Sequence, residues 1–272
     1  MTALLYIAWL VAYYASAANQ NIILDTKAIA IQRNMIEKAK ETAVENGTRL
    51  SPNSTLFKGY KILLPLMLPI TLFSILIGHV LGDCSITVSK TKDEASLAFE
   101  WGNKAYAQYV YDLLKDYIIA PLRVQIRVNA NGNQVTTYCF RTLTLPCFFV
   151  FARLFIFDGV KTVPAGLVYF LVNPLALATW YMDDGGLATY NTGHGRIVQF
   201  NTQCFPVPVV QQMVRELNAR YGFDCAQKWN RGMPIIALPS ASYPKFRAIV
   251  APYIHSSMEY KISLLSPLYI LA

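Results

Sequence analysis

Two apolar stretches of this chain end on an aspartate, and each aspartate is answered by a lysine at almost the same distance downstream. The first runs Leu76-Ile77-Gly78-His79-Val80-Leu81-Gly82-Asp83. The second runs Leu177-Ala178-Thr179-Trp180-Tyr181-Met182-Asp183-Asp184-Gly185. Asp83 precedes Lys161 by 78 positions, and Asp184 precedes Lys261 by 77. A carboxylate and a lysine repeated at matched offsets imply two half-sites facing one another across a pseudo-twofold axis, a symmetry suited to acting on both strands of a duplex.

The segments between these landmarks repeat as well. After Asp83 come a strand, Ser85 to Ser89, a charged turn from Lys90 to Glu94, and a second strand, Ala95 to Trp101. After Asp184 come Leu187 to Tyr190, a turn at Asn191 to Gly195, and Arg196 to Thr202. Asp83 to Phe99 and Asp184 to Phe200 both span 16 positions. A helix follows in each half, Lys104 to Asp116 with Tyr106, Val110, Leu113 and Leu114 on one stripe, and Pro208 to Tyr221 with Val210, Val214 and Leu217. Each half then offers a second hairpin, turning at Asn129 to Asn133 and at Asn230 to Gly232, and a closing helix near Cys147 to Phe157 and Tyr243 to Tyr253. The expected fold is α+β, an αββαββα unit used twice, over 50–172 and 173–272. Residues 1–49 form an N-terminal extension in which Gln32 to Lys40 suits a surface helix, with the folded core beginning near Leu50.

Charge narrows the partner. Lys plus Arg number 24 against 16 acids, giving +8, which favours a polyanion, either nucleic acid or an anionic membrane surface. The five cysteines form no C-x-x-C pair and no finger-like spacing with histidine, so they read as small buried apolar residues. His79 lies inside the first helix pattern and reads as packed. Residues 2–24 carry no charge, which leaves three readings open: a membrane anchor, a packed extension, or the remnant of an upstream fused frame.

Small residues near the acidic helix ends (Gly78, Gly82 and Ala178) permit the two helices to approach closely and bring Asp83 and Asp184 together. A carboxylate at a helix C-terminus opposes the macrodipole, and two carboxylates crowded there repel one another. Divalent cations relieve both penalties, and Mg²⁺ accepts a few carboxylate oxygens with water or phosphate completing its shell. Such ions activate water and stabilise the oxygens of a phosphodiester under attack, with Lys161 and Lys261 adding positive charge. The plain alternative is solvated helix-end acids and surface lysines, against which the duplication weighs. Asp183 points about 100° away from Asp184 on a helix, so it faces away or caps a neighbouring element. The strand faces carry Ser85, Thr87, Ser89 and Thr91 in one half and Arg196 and Gln199 in the other. Lys90, Lys92, Arg123, Arg127, Lys228 and Arg231 read as turn residues placed to touch phosphates or bases.

The two acidic helix ends resemble the signature of LAGLIDADG homing endonucleases in the single-chain, two-motif form. The resemblance runs from Leu50 to about Ile262. It rests on Ser51 to Lys58, Phe99 to Tyr106, Val160 to Pro164, Tyr181 to Gly186, Met233 to Ile236 and Met258 to Lys261. It implies Asp83 and Asp184 as metal-binding catalytic acids and Lys161 and Lys261 as active-site lysines, on two halves whose sheets form a DNA-binding saddle. It further implies Mg²⁺ (with Mn²⁺ able to substitute), a long asymmetric duplex target, a monomer, and an organellar intron as the coding location, mitochondrial or chloroplast. Cys84 stands where the first motif's final glycine is expected. The loops Ala188 to Gly195 and Ala130 to Asn133 are poorer in lysine than the resemblance leads one to expect. The alternative is an RNA maturase, or an RNA-binding component without cleavage, acting on intron RNA.

Overall fold

The computed structural model describes residues 25–51, 53–189 and 196–263. The expectations for residues 2–24 and for the turn Asn191 to Gly195 lie outside the described residues. Among the described residues no helix is long and apolar enough to cross a membrane.

Helix α1 spans Thr26–Glu45, capped by Asp25, whose carboxylate accepts the Ala28 N–H at 3.0 Å. Helix α2 spans Thr55–Leu63 and opens on Ser54, which accepts the Phe57 N–H. The folded core therefore begins well before Leu50. Ile29 and Ile36 on α1 are buried in the common core, and Arg33 donates to the carbonyls of Lys115 (2.7 Å) and Ile118 (2.6 Å). Two apolar residues seven positions apart, two turns of helix, gave the sequence too little periodicity to reveal this docking among so many charges.

Two repeats follow. The first is α3 (Ile70–Leu81), β1 (Ser85–Val88), β2 (Ala95–Trp101), α4 (Lys104–Leu113), β3 (Arg123–Val128), β4 (Gln134–Arg141) and α5 (Phe149–Phe155), then a short hairpin of β5 (Ile156–Phe157) and β6 (Val160–Lys161). The second is α6 (Pro174–Asp184), β7 (Gly185–Thr189), β8 (Arg196–Phe200), α7 (Val207–Tyr221), β9 (Ala226–Asn230), β10 (Met233–Leu238) and α8 (Tyr243–Val250). The two four-stranded antiparallel sheets have the same order, β1-β2-β4-β3 and β7-β8-β10-β9. Period-2 alternation puts Leu97, Phe99, Trp101 and Phe140 into the core, where Phe99 stacks on Phe140 at 4.9 Å between ring centres. The opposite face carries Ala98, Glu100 and Arg141. Helix α4 ends earlier than its apolar stripe suggested: Tyr106, Val110 and Leu114 are buried, but the chain tightens into a 3₁₀ turn at Lys115–Tyr117 and Leu113 is left exposed.

The halves meet at α3 and α6. Every residue from Phe73 to Leu81 is buried, so α3 reads as apolar on all sides because it lies inside the molecule. The contact is close enough that a Cβ on Gly78 would lie 2.5 Å from the Ala176 carbonyl oxygen and 2.6 Å from the Thr179 Cβ. One turn on, a Cβ on Gly82 would lie 2.5 Å from that of Asp183. Gly78 and Thr179 are 101 positions apart, as are Gly82 and Asp183 and the acids Asp83 and Asp184, so equivalent positions of the repeat face each other across the axis.

Candidate active site and nucleic-acid face

Both acids end their helices at this crossing. Asp184 is the last residue of α6, and Asp83 lies two residues past α3. Burial, then Asp83, then Asp183 push the Asp184 carboxyl up from 3.8 to about 7, while Lys161 and Lys261 pull it down. Burial and Asp183 push Asp83 up from 3.8 to about 6, opposed by Lys261, His79 and Lys161. Asp83 remains open to solvent on its cleft side, so desolvation reaches it from the protein side only. Each acid is thus held where a neighbouring cation would do most to stabilise its ionised form.

The lysines repeat the symmetry. Lys161 is presented by the β5–β6 hairpin, whose Asp158-Gly159 turn has both φ angles positive, 48° and 75°, the pattern of a type I′ connection. Its Nζ donates to the carbonyls of Gly82 (2.9 Å) and Cys84 (3.2 Å), on either side of Asp83. Lys261 ends a 3₁₀ segment, Ser256–Lys261, and donates to the carbonyls of Met182 (2.5 Å) and Asp183 (3.0 Å), just before Asp184. Each ammonium therefore neutralises the carbonyl end of the helix that carries its own half's acid. Burial lowers the Lys261 pKa, and Asp183, Asp83 and Asp184 oppose that shift.

Among the described residues no group of three or more His, Cys, Asp or Glu side chains is arranged to hold a metal. A cation placed between the two helix ends would find the two carboxylates as protein donors, and water or phosphate would have to supply the rest. That donor set fits Mg²⁺, which keeps most of its water, and does not fit a zinc-type cage.

Asp183 does not face away. Its side chain is fully enclosed: Oδ2 lies 2.8 Å from His79 Nδ1 and accepts the Asp83 N–H at 3.4 Å, while Oδ1 accepts from Trp101 Nε1 (3.2 Å) and the Tyr106 hydroxyl (3.1 Å). It does cap a neighbouring element, since the Asp83 amide follows the end of α3. His79 is packed as expected, and is also paired. Four of the five cysteines are buried; Cys204 is exposed, contrary to the uniform reading.

Beside Asp83 the outer sheet face forms a cleft of about 290 Å³, lined by Asp83, Ser85, Glu100, Arg123, Gln125 and Arg141 among others. The cross-strand register puts Ser85 opposite Ala98, Ala98 opposite Arg141, and Arg123 opposite Cys139, so these positions share one face. Arg123, expected from the sequence to touch phosphates or bases, lines the cleft. Arg127 is already engaged, donating to Glu100 at 3.0 Å. Lys90 and Lys92 are exposed in the β1–β2 turn; Lys228 is exposed opposite Ile235, and Arg231 occupies the β9–β10 turn at φ 51°. Gln199 sits between Gly186 and Ala237. Arg196, by contrast, has the strand parity of Val198 and Phe200 and not that of Gln199, because the two are three positions apart on one strand; its side chain lies outside the described ones.

Sequence reasoning missed Glu100, Gln125, Thr137 and Arg141. Thr137 donates to Glu100 at 2.8 Å, and Arg141 donates to Thr87 (2.8 Å) and Ser96 (3.3 Å), making a polar lattice beside the acid. The available signal was alternation along Gln134 to Arg141, the return strand of a hairpin of which only the outgoing strand and turn were read.

Twinned sheets, two helices crossing at glycine, and a carboxylate with an ammonium at each helix end define a pseudo-symmetric protein with a composite centre of acids and lysines on its axis. The sequence profile described as the LAGLIDADG DNA endonuclease family matches residues 73–246, and the chain belongs to that family. It is 34% identical over 214 residues to a probable intron-encoded endonuclease 1 of Wickerhamomyces canadensis, covering 78% of this chain and 92% of that protein. The solved structure of the homing endonuclease I-WcaI bound to its DNA recognition sequence is similar with a TM-score of 0.75 at 33% identity, over 80% of this chain and 96% of that one. Similarity also extends to the cytochrome b mRNA maturase bI2 of Saccharomyces cerevisiae, 29% identical over 210 residues, covering 72% of this chain and 48% of that protein.

Proposed function

We propose that this protein is a site-specific double-strand DNA homing endonuclease that hydrolyses phosphodiesters at the Asp83/Asp184 centre and moves a group I intron. The observation that carries it is the convergence of the two acids, both with raised pKa, between two lysines bound in equivalent ways. The likeness to intron-encoded and homing endonucleases over most of both chains supports the reading.

Asp83 and Asp184 would hold Mg²⁺, with Mn²⁺ able to substitute, and the ion would supply Lewis-acid stabilisation of the phosphate oxygens and a more acidic water. Lys161 and Lys261 bring positive charge to the two scissile phosphates while staying tied to the carbonyls beside the acids. The sheet faces carry the duplex: Lys90, Lys92, Lys228 and Arg231 on the backbone, Arg123, Gln125, Arg141 and Gln199 toward base edges. Unlike side chains in the two halves suit a long asymmetric target read by a monomer. Relatives that are intron-encoded or cytochrome b maturases favour a mitochondrial protein, with the chloroplast as the alternative compartment.

Purified protein is incubated with Mg²⁺ and duplexes spanning the intronless junction of its host gene. The parent cuts both strands at one position, and Asp83→Asn and Asp184→Asn proteins do not. Cutting by either variant at the parent rate would remove the assignment. The maturase likeness supports a second reading, binding of intron RNA, which predicts tight RNA association with no cut in the flanking DNA.

A further inference from the structure

Asp183 is the residue that the paired acids and lysines leave unexplained. Its carboxylate comes from the second half, yet every donor to it comes from the first: His79 on α3, the Asp83 amide past α3, Trp101 on β2 and Tyr106 on α4. Two contacts fall on each oxygen, which fills the four lone-pair sites of a carboxylate and leaves none for a cation. The repeat makes the position odder still, because its equivalent is Gly82 and the two meet on the axis. One of the pair must be glycine for the other to fit, so the axis is occupied by a single acid. A buried polar pair such as Asp183 with His79 adds little stability that apolar residues of similar volume could not match. What this one adds is connection. Asp183 touches the Asp83 amide with its side chain, adjoins Asp184 in the chain, and accepts Lys261 on its carbonyl at 3.0 Å. On the far side Lys161 grips the carbonyls that flank Asp83.

We infer that Asp183 is a positioning residue: wedged against Gly82, its carboxylate fixes the backbone of the opposite half's Asp83 and so holds the two cation-binding acids in register across the pseudo-twofold axis. This deepens the endonuclease reading and rests on it for cleavage, but not for metal binding.

The test is Asp183→Asn, which keeps the size but points an amide N–H₂ at donors that need an acceptor. Mn²⁺ is titrated into the protein alone and followed by electron paramagnetic resonance, alongside melting temperature, duplex affinity in Ca²⁺ and single-turnover cleavage in Mg²⁺. Loss of a partner that orients a metal ligand costs on the order of tenfold in metal affinity or rate. Asp183→Asn is therefore expected to weaken Mn²⁺ about tenfold and slow cleavage about tenfold, with duplex affinity unchanged. Glu216→Gln is the control for a purely structural acid, since Glu216 accepts the Gly166 and Val168 amides, both at 2.9 Å, outside the centre. It lowers the melting temperature and leaves Mn²⁺ binding alone. Unchanged Mn²⁺ affinity in Asp183→Asn, or a loss no larger than in Glu216→Gln, overturns the inference. If Asp183→Asn does not fold, Tyr106→Phe removes one donor hydroxyl and carries the same readout, a smaller Mn²⁺ loss supporting the inference and none overturning it. If the parent cuts no duplex while the Mn²⁺ loss appears, the cleavage reading fails and the positioning role stands.

Discussion

Adding one methyl group at Gly78 tests whether the helix crossing is as tight as the account needs. An alanine Cβ there would lie 2.5 Å from the Ala176 carbonyl oxygen, 2.6 Å from the Thr179 Cβ and 2.8 Å from the Trp180 amide nitrogen. Two of these three are backbone atoms of α6, which cannot rotate aside, so the helices must separate by several tenths of an ångström. Overpacking of this kind costs about 3 kcal/mol at the upper end of its usual range. Glycine to alanine inside a helix returns about 1 kcal/mol, leaving a net loss of about 2 kcal/mol. For a chain of this size that lowers the melting temperature by roughly 4 to 8 °C. Separation also spreads Asp83 and Asp184, so single-turnover cleavage falls more than duplex affinity. Gly186→Ala, where an added Cβ meets nothing within 4 Å, is the stability control and changes it by a few tenths of a kcal/mol. Guanidinium unfolding of the three proteins measures the difference. A Gly78→Ala protein as stable as the parent, or more so, would refute the close-approach reasoning.

Other outcomes follow from the same geometry. Asp83 and Asp184 have pKa values raised from 3.8 to about 6 and about 7, so the metal-free native state binds more protons than the unfolded chain. Their contribution to stability therefore falls as pH rises from about 4 to about 7. The parent should lose stability relative to the Asp83→Asn/Asp184→Asn protein across that window in EDTA, and Mg²⁺ should restore it most at the alkaline end; the opposite slope in paired denaturation curves counts against the site. Lys161→Met and Lys261→Met should each lower the cleavage rate by roughly 10²-fold, as for loss of one preorganised charge, with little change in duplex affinity in Ca²⁺. Arg141→Ala should relax discrimination at one base pair by about 1 to 3 kcal/mol, whereas Lys90→Ala should weaken all duplexes alike and reduce the salt slope by about one, both read from binding isotherms at several salt concentrations.

The architecture was legible because the chain states it twice. Any one apolar run such as Phe73 to Leu81 suits a buried helix, but two runs with matching strands, turns and lysines leave few alternatives to a duplicated unit. The acids and lysines were legible for the same reason. Asp183 was not, because helical geometry gives the angle between neighbours and not what lies opposite; its destination depended on Gly82 leaving a space 101 positions away. His79 was illegible for the converse reason, as a packed histidine and a paired one look alike until the acid is placed. Arg141 escaped because charges on a return strand acquire a face only once register is known, and Arg196 was grouped with Gln199 against strand parity. The docking of α1 rests on two isoleucines and on lysine and arginine bonds to carbonyls of the chain beyond α4, contacts with no local signature.

The most direct measurement is the anomalous scattering of manganese in crystals of the protein grown with a cognate duplex and Mn²⁺. Shared cation binding predicts a peak within coordinating distance of both the Asp83 and Asp184 carboxylates, with Asp183 outside its shell and still bound to His79. Manganese ligated by one acid alone, or by Asp183, would contradict it.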